Sequence, residues 1–388
     1  MKFANFCNFV RLILVIEVFY NMEDKMIRVG ITHGDINGIG YEVILKTFSD
    51  QRMAELCVPI IYGSSKVAAY HRKALDLPPV NINVVARAEE AGLNRVNILN
   101  CVEDDIKVEL TQSTPTAGRA AYKALEAAVA DLKRGAIDVL VTAPINKYNI
   151  QNAQFHFPGH TEYLEQTLGE GQKALMILMT DTLRVALVTG HIPVSEIPSQ
   201  ITVDNIVTKL QIFNQSLKQD FTIVKPRIAV LALNPHAGDN GVIGNEEKDI
   251  IKPAMEEAER LGVMSFGPFP ADGFFGSKMY EDFDGVLAMY HDQGLAPFKA
   301  LAMEEGVNYT AGLPFVRTSP AHGTAYNIAG QNLASESSFR QAVYTALDVF
   351  RSRQSYKEAT AHPLRKQYFD KGSDNVKLDL TKDEEPEL

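Results

Sequence analysis

Residues 116–144 read TAGRAAYKALEAAVADLKRGAIDVLVTAP, and this stretch decides the fold class. Its first part, residues 116–135, carries apolar side chains at helical spacing and ends in a glycine, which predicts an amphipathic helix. Its second part, residues 137–144, is almost continuously apolar, as expected for a strand buried on both faces. A helix followed at once by such a strand is an αβ unit, so we expect helices packed on a largely parallel sheet.

The same pattern continues on both sides of this unit. A strand-like run, MIRVGIT, begins at Met26, and the apolar runs RVALVTG, RIAVLALN and DGVLAMY occupy residues 184–190, 227–234 and 284–290. Residues 245–262, NEEKDIIKPAMEEAERLG, start with acidic side chains, which favour the amino end of a helix. The alternation of strands and helices predicts an α/β protein.

Composition and charge narrow the class of protein. The chain has 388 residues, of which 46% are apolar and 22% charged, which predicts a globular protein with a large core and two domains. A formal net charge of −10 argues against nucleic acid or an anionic membrane as the main partner. Cys7, Cys57 and Cys101 are odd in number and show no C-x-x-C spacing, so we expect a cytoplasmic protein without disulfides or a thiolate metal site.

The two ends of the chain differ from the rest. Residues 1–25 contain an apolar run that Arg11 and Glu17 interrupt, and no small-residue cleavage site follows it. This segment is either an extension upstream of a translation start at Met26 or a short amphipathic or weak signal segment, and we expect it to lie outside the fold. Residues 366–388 form a charged tail that we expect to be solvated.

Three of the predicted strands end in the same way. His191, His236 and His291 each follow an apolar run at its carboxyl end, which is the edge where open α/β sheets bind ligands. Any one of them alone would most simply be a hydrogen-bonded structural residue. Three in the same topological position favour a divalent metal that acts as a Lewis acid.

A second set of polar residues suits an anionic ligand. Lys299 follows the third histidine, and Asn308 and Arg317 lie in a segment interrupted by glycine and proline. An ammonium, an amide and a guanidinium group together fit a phosphate monoester, although Lys299 by itself would more simply be a solvated cation. His160 and Thr161 lie in a polar break, where they contact a substrate or cap a helix.

The glycine-rich segment at residues 34–42, GDINGIGYE, follows the first strand. Its glycines have the spacing G-x3-G-x-G, which differs from the dinucleotide fingerprint G-x-G-x-x-G. It is most simply a tight turn between a strand and a helix.

Several motifs along the chain together resemble the 4-hydroxythreonine-4-phosphate dehydrogenase family of pyridoxal phosphate biosynthesis, from about residue 26 to about residue 353. These motifs are GDINGIGYE, TAPINK, GHTEYL, VTGHIP, LNPHAG, GPFPAD, YHDQGLAPFK, GVNYTAGLPFVRTS and HGTAYNIAG. The resemblance implies a two-domain fold of the isocitrate/isopropylmalate dehydrogenase type, with a cleft between the domains, and a homodimer. Residues 26–155 with 305–365 would form an outer, cofactor-side domain, and residues 156–304 an inner domain with the metal site and dimer interface.

The resemblance also assigns roles to individual residues. One of the family's three metal ligands comes from the partner subunit, and these ligands fall on His191, His236 and His291. The family's substrate contacts fall on His160, Thr161, Lys299, Asn308 and Arg317. Asp272 and Asp292 are candidates for proton transfer or for orienting an imidazole, and a salt bridge or loop cap explains each of them equally well.

The segment HGTAYNIAG resembles the adenine-side cofactor loop of this superfamily and implies that NAD or NADP binds there. The matching positions are His322, Gly323, Thr324, Ala325 and Asn327. Asn327 stands where the family commonly has aspartate, so the choice between NAD and NADP is open. GDINGIGYE also replaces the usual GDPAGIGPE, which loosens the turn without removing a reactive group.

The implied reaction is the oxidation of 4-phosphooxy-L-threonine to 2-amino-3-oxo-4-phosphooxybutanoate, which loses CO2 to give 3-amino-2-oxopropyl phosphate. It would use NAD or NADP and one divalent metal ion, of which Zn2+, Co2+ and Mg2+ are candidates. Two alternatives stay open: a dehydrogenase for another phosphorylated hydroxy acid such as erythronate 4-phosphate, and a non-catalytic protein that binds phosphorylated metabolites. An open Lewis-acid site speaks against the second.

Overall fold

The computed structural model describes residues 26–103 and 105–362, so the predictions for residues 1–25 and 366–388 lie outside the described residues. Its strands are β1 (Arg28–Thr32), β2 (Val58–Gly63), β3 (Ile82–Val85), β4 (Val96–Asn100), β5 (Val139–Thr142), β6 (Leu175–Met179), β7 (Arg184–Leu187), β8 (Ile228–Leu231), β9 (Ser265–Phe269), β10 (Gly285–Ala288), β11 (Val307–Ala311) and β12 (Val316–Pro320). Its helices are α1 (Gly40–Ser49), α2 (Arg52–Leu56), α3 (Ser65–Ala74), α4 (Pro115–Lys133), α5 (His160–Leu168), α6 (Ile197–Gln200), α7 (Val203–Gln219), α8 (Lys252–Arg260), α9 (Ala271–Gly276), α10 (His291–Ala302) and α11 (Ser337–Thr360).

The strands form a single sheet in the order β3-β4-β2-β1-β5-β12-β11-β6-β7-β10-β8-β9. Strand β11 is antiparallel to β12 and β6, and β6 is antiparallel to β7, whereas the other neighbours are parallel. The predicted α/β class with a largely parallel sheet is therefore confirmed. Within residues 26–103 and 105–362, no helix is long and apolar enough to cross a membrane.

The sheet contains two groups of parallel strands that run in opposite directions, because three antiparallel pairings lie between them. In this strand order, strands from residues 26–155 and 305–365 make up one half of the sheet, and strands from residues 156–304 make up the other half. The hydrogen-bonded ladder continues across this boundary through β11 and β6. The division into two domains therefore stays a prediction.

The local predictions agree closely with the observed elements. The helix expected at residues 116–135 is α4, where the Thr114 hydroxyl accepts a hydrogen bond from Ala117 N (3.2 Å) and caps the helix. The five quoted strand-like runs contain β1, β5, β7, β8 and β10, each shorter than its run. The helix expected at residues 245–262 begins with a π-helical turn, Glu247–Ile251, and continues as α8.

Strands β7, β10 and β8 are neighbours and parallel, which places their carboxyl ends at one edge of the sheet. His191, His236 and His291 follow these three ends, as the sequence predicts. The fold thus brings three loops that carry imidazoles to the same edge.

A column of stacked rings lies beneath the glycine-rich turn. The ring of Tyr41 stacks between those of His33 and His71, with centroid distances of 5.1 and 5.2 Å. The two histidines are 0% and 1% exposed, and His71 Nε2 lies 2.8 Å from the carbonyl oxygen of Ile36. Because burial disfavours the imidazolium form, the pKa of His33 and that of His71 are both lowered to about 4.

These buried histidines should make the protein less stable in mild acid. The unfolded chain takes up protons near pH 6.5 and the folded chain only near pH 4, so stability falls as the pH drops through this window. When the pH is lowered from 7.5 to 5, the free energy of unfolding should fall by about 2 kcal/mol for each of these two histidines. Urea denaturation at both pH values measures this loss.

The variant His71→Gln should lose about 2 kcal/mol less than the wild type over this interval, because glutamine does not titrate. The exposed residue His156, replaced by glutamine, is the matched control and should behave as the wild type does. An equal loss in His71→Gln and the wild type would show that His71 is protonated in the folded state.

Candidate active site

A cavity of about 180 Å³ lies against the middle of the sheet. Four adjacent strands contribute to its lining through Thr142 in β5, Arg317 in β12, Asn308 in β11 and Met176 in β6. Seven of the residues that the sequence predicts for the site line this cavity, namely His160, Thr161, His191, Asn308, Arg317, His322 and Gly323. The structure therefore gathers most of the predicted substrate-binding residues in one place.

Arg317 is the charged centre of this cavity. Its side chain is only 3% exposed and donates hydrogen bonds to two hydroxyls: from Nε and Nη2 to Thr142 Oγ1 (3.1 and 2.6 Å), and from Nη1 to Thr310 Oγ1 (3.2 Å). None of the carboxylates in the described residues forms an ion pair with it. Burial lowers the pKa of Arg317 to about 10, although the charge of Glu162 acts to raise it. The guanidinium therefore stays charged at neutral pH. A buried cation without a counterion is suited to bind an anion.

Three uncharged polar atoms complete the lining. Within the described residues, His160 Nε2, Asn308 Oδ1 and His322 Nε2 are buried and have no hydrogen-bond partner. Buried polar atoms are normally paired, so these three are suited to meet a bound polar molecule. Burial, Arg317 and Lys147 hold the pKa of His160 well below its usual value, and burial also lowers the pKa of His322. Both imidazoles are therefore neutral at physiological pH.

His191, which lines the cavity, forms a pair of imidazoles with His291. Their ring centroids are 5.3 Å apart, and His291 Nδ1 lies 2.7 Å from Asp292 Oδ1. A carboxylate on Nδ1 fixes the ring orientation and leaves Nε2 available, as is common for histidines that bind metals. Burial lowers the pKa of His191, with Lys147 and His291 adding to the effect, and so favours the neutral form that coordinates a cation. The donor set of this pair fits a divalent ion that has further ligands.

His236 lies apart from this pair in a left-handed turn. Residues 236–240 all have positive φ, and His236 itself has φ 51° and an exposed side chain. Among the described residues of one chain, no group of three His, Cys, Asp or Glu side chains is arranged to hold a metal ion. That a partner subunit supplies one of the three imidazoles therefore stays a prediction.

Lys299 and Asp272 are not brought to the cavity within one chain. Lys299 is exposed and lines a separate cleft with Arg184 and Glu281. It lies on α10 with His291, and eight residues of helix separate the two by about 12 Å along the axis. Asp272 is exposed in the first turn of α9. Their predicted roles stay predictions, as does that of Asp292, which contacts the imidazole of His291.

The predicted cofactor segment packs against the glycine-rich turn. The carbonyl oxygen of Thr324 accepts a hydrogen bond from Ile39 N (3.1 Å), and a Cβ on Gly38 would lie 2.6 Å from the same oxygen. Ala325 has φ 46°, and the hydroxyl of Tyr326 donates to Asp35 Oδ2 (2.7 Å). Gly38 therefore allows close contact between the glycine-rich turn and this segment. Asn327 is exposed.

The sequence did not single out three lining residues, Thr142, Lys147 and Glu162. Lys147 Nζ lies 3.1 Å from His191 Nε2, and burial lowers the pKa of this lysine. Thr142, the last residue of the buried strand β5, and Lys147 begin and end the motif TAPINK. Polar groups at and just past the carboxyl end of a buried strand are the pattern that pointed to the three histidines, and it could have identified these two residues.

Known proteins resemble this chain over most of its length. A family profile described as "Pyridoxal phosphate biosynthetic protein PdxA" matches residues 55–346. A protein of Bacteroides thetaiotaomicron named 4-hydroxythreonine-4-phosphate dehydrogenase is 64% identical, over 92% of this chain and 98% of its own length. A protein of Oceanobacillus iheyensis named "Putative D-threonate 4-phosphate dehydrogenase" is 36% identical, over 83% of this chain and 97% of its own length. A crystal structure of 4-hydroxythreonine-4-phosphate dehydrogenase from Klebsiella pneumoniae superposes with a TM-score of 0.74 at 32% identity, covering 84% of this chain and 98% of that one.

The variant Arg317→Met should separate anion binding from stability. The affinity for inorganic phosphate should fall about tenfold or more, which corresponds to about 1.5 to 3 kcal/mol for charge-assisted hydrogen bonds. The unfolding free energy should stay the same or rise by about 1 kcal/mol, because a buried unpaired charge has been removed. Titration calorimetry and urea denaturation measure the two effects.

The matched control is Arg260→Met, which removes an exposed guanidinium paired with Glu257 and should leave phosphate affinity unchanged. Unaltered phosphate binding in Arg317→Met would exclude Arg317 from the anion site.

Proposed function

The chain belongs to the family of the pyridoxal phosphate biosynthetic protein PdxA, and from this membership we propose that it oxidises 4-phosphooxy-L-threonine. The product, 2-amino-3-oxo-4-phosphooxybutanoate, is a β-keto acid that loses CO2 to give 3-amino-2-oxopropyl phosphate, a step toward pyridoxal 5'-phosphate. The observation that carries the proposal is the buried Arg317 guanidinium, which has no counterion among the described residues and lies in a cavity with neutral histidines.

We propose that Arg317 binds the phosphate group of the substrate. The guanidinium is held by the hydroxyls of Thr142 and Thr310, which orient it without neutralising its charge. Thr161 and Lys147 line the same cavity and supply further donors. Because the imidazoles of His160 and His322 are neutral, neither of them competes with Arg317 for the phosphate as a cation.

The remaining polar atoms suit the rest of the substrate. Asn308 Oδ1 is a hydrogen-bond acceptor, and the unpartnered Nε2 atoms of His160 and His322 each accept or donate according to the tautomer. Such atoms match a molecule with an ammonium group, a hydroxyl and a carboxylate. They would hold the reacting carbon in one orientation and limit the water around it.

The oxidation would take place beside the pair His191 and His291. When bound, a divalent ion and NAD or NADP supply Lewis acidity at the substrate hydroxyl and a hydride acceptor. His191 and His291 would hold the ion, together with an imidazole from the partner subunit of a homodimer. Asp292 keeps the His291 ring in its orientation through Nδ1. Lys147, 3.1 Å from His191 Nε2, is placed to stabilise negative charge that develops on the substrate.

The cofactor would bind along the segment from His322 to Asn327. His322 and Gly323 line the cavity, so this segment reaches from the substrate site to the surface, where Asn327 is exposed. Hydrogen bonds of Thr324 and Tyr326 to the glycine-rich turn fix the position of this segment.

An absorbance assay tests the proposed reaction. The purified chain should form NADH or NADPH from 4-phosphooxy-L-threonine, EDTA should abolish the reaction, and Zn2+, Co2+ or Mg2+ should restore it. The heat-denatured chain is the control for non-enzymatic reduction. No increase at 340 nm with any of these metals and either cofactor would contradict the proposal.

A second candidate substrate is a phosphorylated sugar acid, because one relative is named for D-threonate 4-phosphate. Such a substrate has a hydroxyl where 4-phosphooxy-L-threonine has an ammonium group. We expect a higher kcat/KM for the amino acid than for D-threonate 4-phosphate or erythronate 4-phosphate. The reverse order in the same assay would assign the chain to the second candidate.

A further inference from the structure

The amide of Gln293 joins the ends of two strands. Its Oε1 accepts a hydrogen bond from Met289 N (2.7 Å), just past β10, and its Nε2 donates to the carbonyl oxygen of Ala232 (2.5 Å), just past β8. The last ladder pair between these strands is Leu287 with Val230, so both contacts lie two residues beyond the ladder. The side chain of Gln293 therefore connects β10 and β8 beyond the last backbone pair of their ladder.

A second side chain extends this connection to β7. The hydroxyl of Thr189 donates to the carbonyl oxygen of Met289 (2.8 Å), and the backbone N–H of Thr189 donates to the same oxygen (3.2 Å). Thr189 is 5% exposed, so these bonds are shielded from water. Gln293, Thr189 and the backbone of Met289 and Ala232 form a continuous set of bonds across three strand ends, which we name the strand-end brace.

The three predicted metal ligands lie directly beyond this brace. His191 follows Thr189 by two residues, His291 follows Met289 by two residues, and His236 follows Ala232 by four residues. Gln293 itself lies in the first turn of α10, which His291 begins. Any change in the distance between these strand ends would therefore move the imidazoles relative to one another.

We propose that Gln293 is a positioning residue for the metal site, which it serves through the strand-end brace without touching the ion. This inference rests on the proposed function, because it assumes that His191 and His291 hold a divalent cation. A metal site tolerates displacements of only a fraction of an ångström in its ligands. Loss of the amide would leave Met289 N and the Ala232 carbonyl without their partner and would free the two strand ends to separate.

The variant Gln293→Met tests the proposal, because methionine keeps the length of the side chain and removes both hydrogen bonds. Titration of the full chain with Co2+ alone, followed by visible absorption, should show about tenfold or more weaker binding and an altered spectrum. Thr189→Val removes one hydroxyl bond and keeps the backbone bond, so its effect should be in the same direction and smaller. Gln215→Met, on the exposed face of α7, is the matched control.

Inorganic phosphate distinguishes a local effect from general unfolding. Its affinity, measured by calorimetry in the same variants, should stay within about twofold of the wild type, because the site at Arg317 lies on other strands. Unchanged Co2+ affinity and spectrum in Gln293→Met would overturn the proposal. A parallel loss of Co2+ and phosphate binding would also overturn it, since Gln293 would then support the whole fold. A wild-type chain without a Co2+ spectrum would instead contradict the metal site of the proposed function.

Discussion

The burial of the Arg317 guanidinium is the constraint on which the rest of the site depends. A permanent cation that is 3% exposed normally needs a carboxylate partner, and the described residues supply only the hydroxyls of Thr142 and Thr310. The protein thus retains an unneutralised charge in its centre, at a cost to its stability. The surrounding imidazoles of His160 and His322 are held neutral, so the positive charge stays concentrated where an anion can meet it.

The sheet brings this charge close to the imidazole pair. Arg317 lies on β12, in the group of strands that runs opposite to β7 and β10, whose ends lead to His191 and His291. Because β11 and β6 join the two groups in one ladder, the anion site and the imidazole pair are parts of a rigid sheet. Lys147, reaching from the segment after β5 to His191, connects them directly. A phosphorylated substrate bound at Arg317 would therefore present a fixed carbon to the histidines.

Sequence patterns predicted those features that follow from the spacing of apolar side chains and from the polar residues at the ends of apolar runs. Apolar runs predicted the parallel strands. Their shared endings predicted that His191, His236 and His291 meet, and among the described residues of one chain His191 and His291 do so. Patterns could not show that Lys299 would lie away from the cavity, on the same continuous helix as His291, because spacing along the chain does not tell which surface a side chain meets. Nor could they reveal the bonds of Gln293, since a contact with Ala232 depends on which strands become neighbours.

The most direct test is a crystal structure of the chain grown with Co2+ and inorganic phosphate, with anomalous diffraction measured at the cobalt edge. We predict an anomalous peak within bonding distance of His191 and His291, and a phosphate hydrogen-bonded to Arg317 in the cavity. A cobalt peak remote from both histidines, or a phosphate that leaves Arg317 without contact, would contradict it.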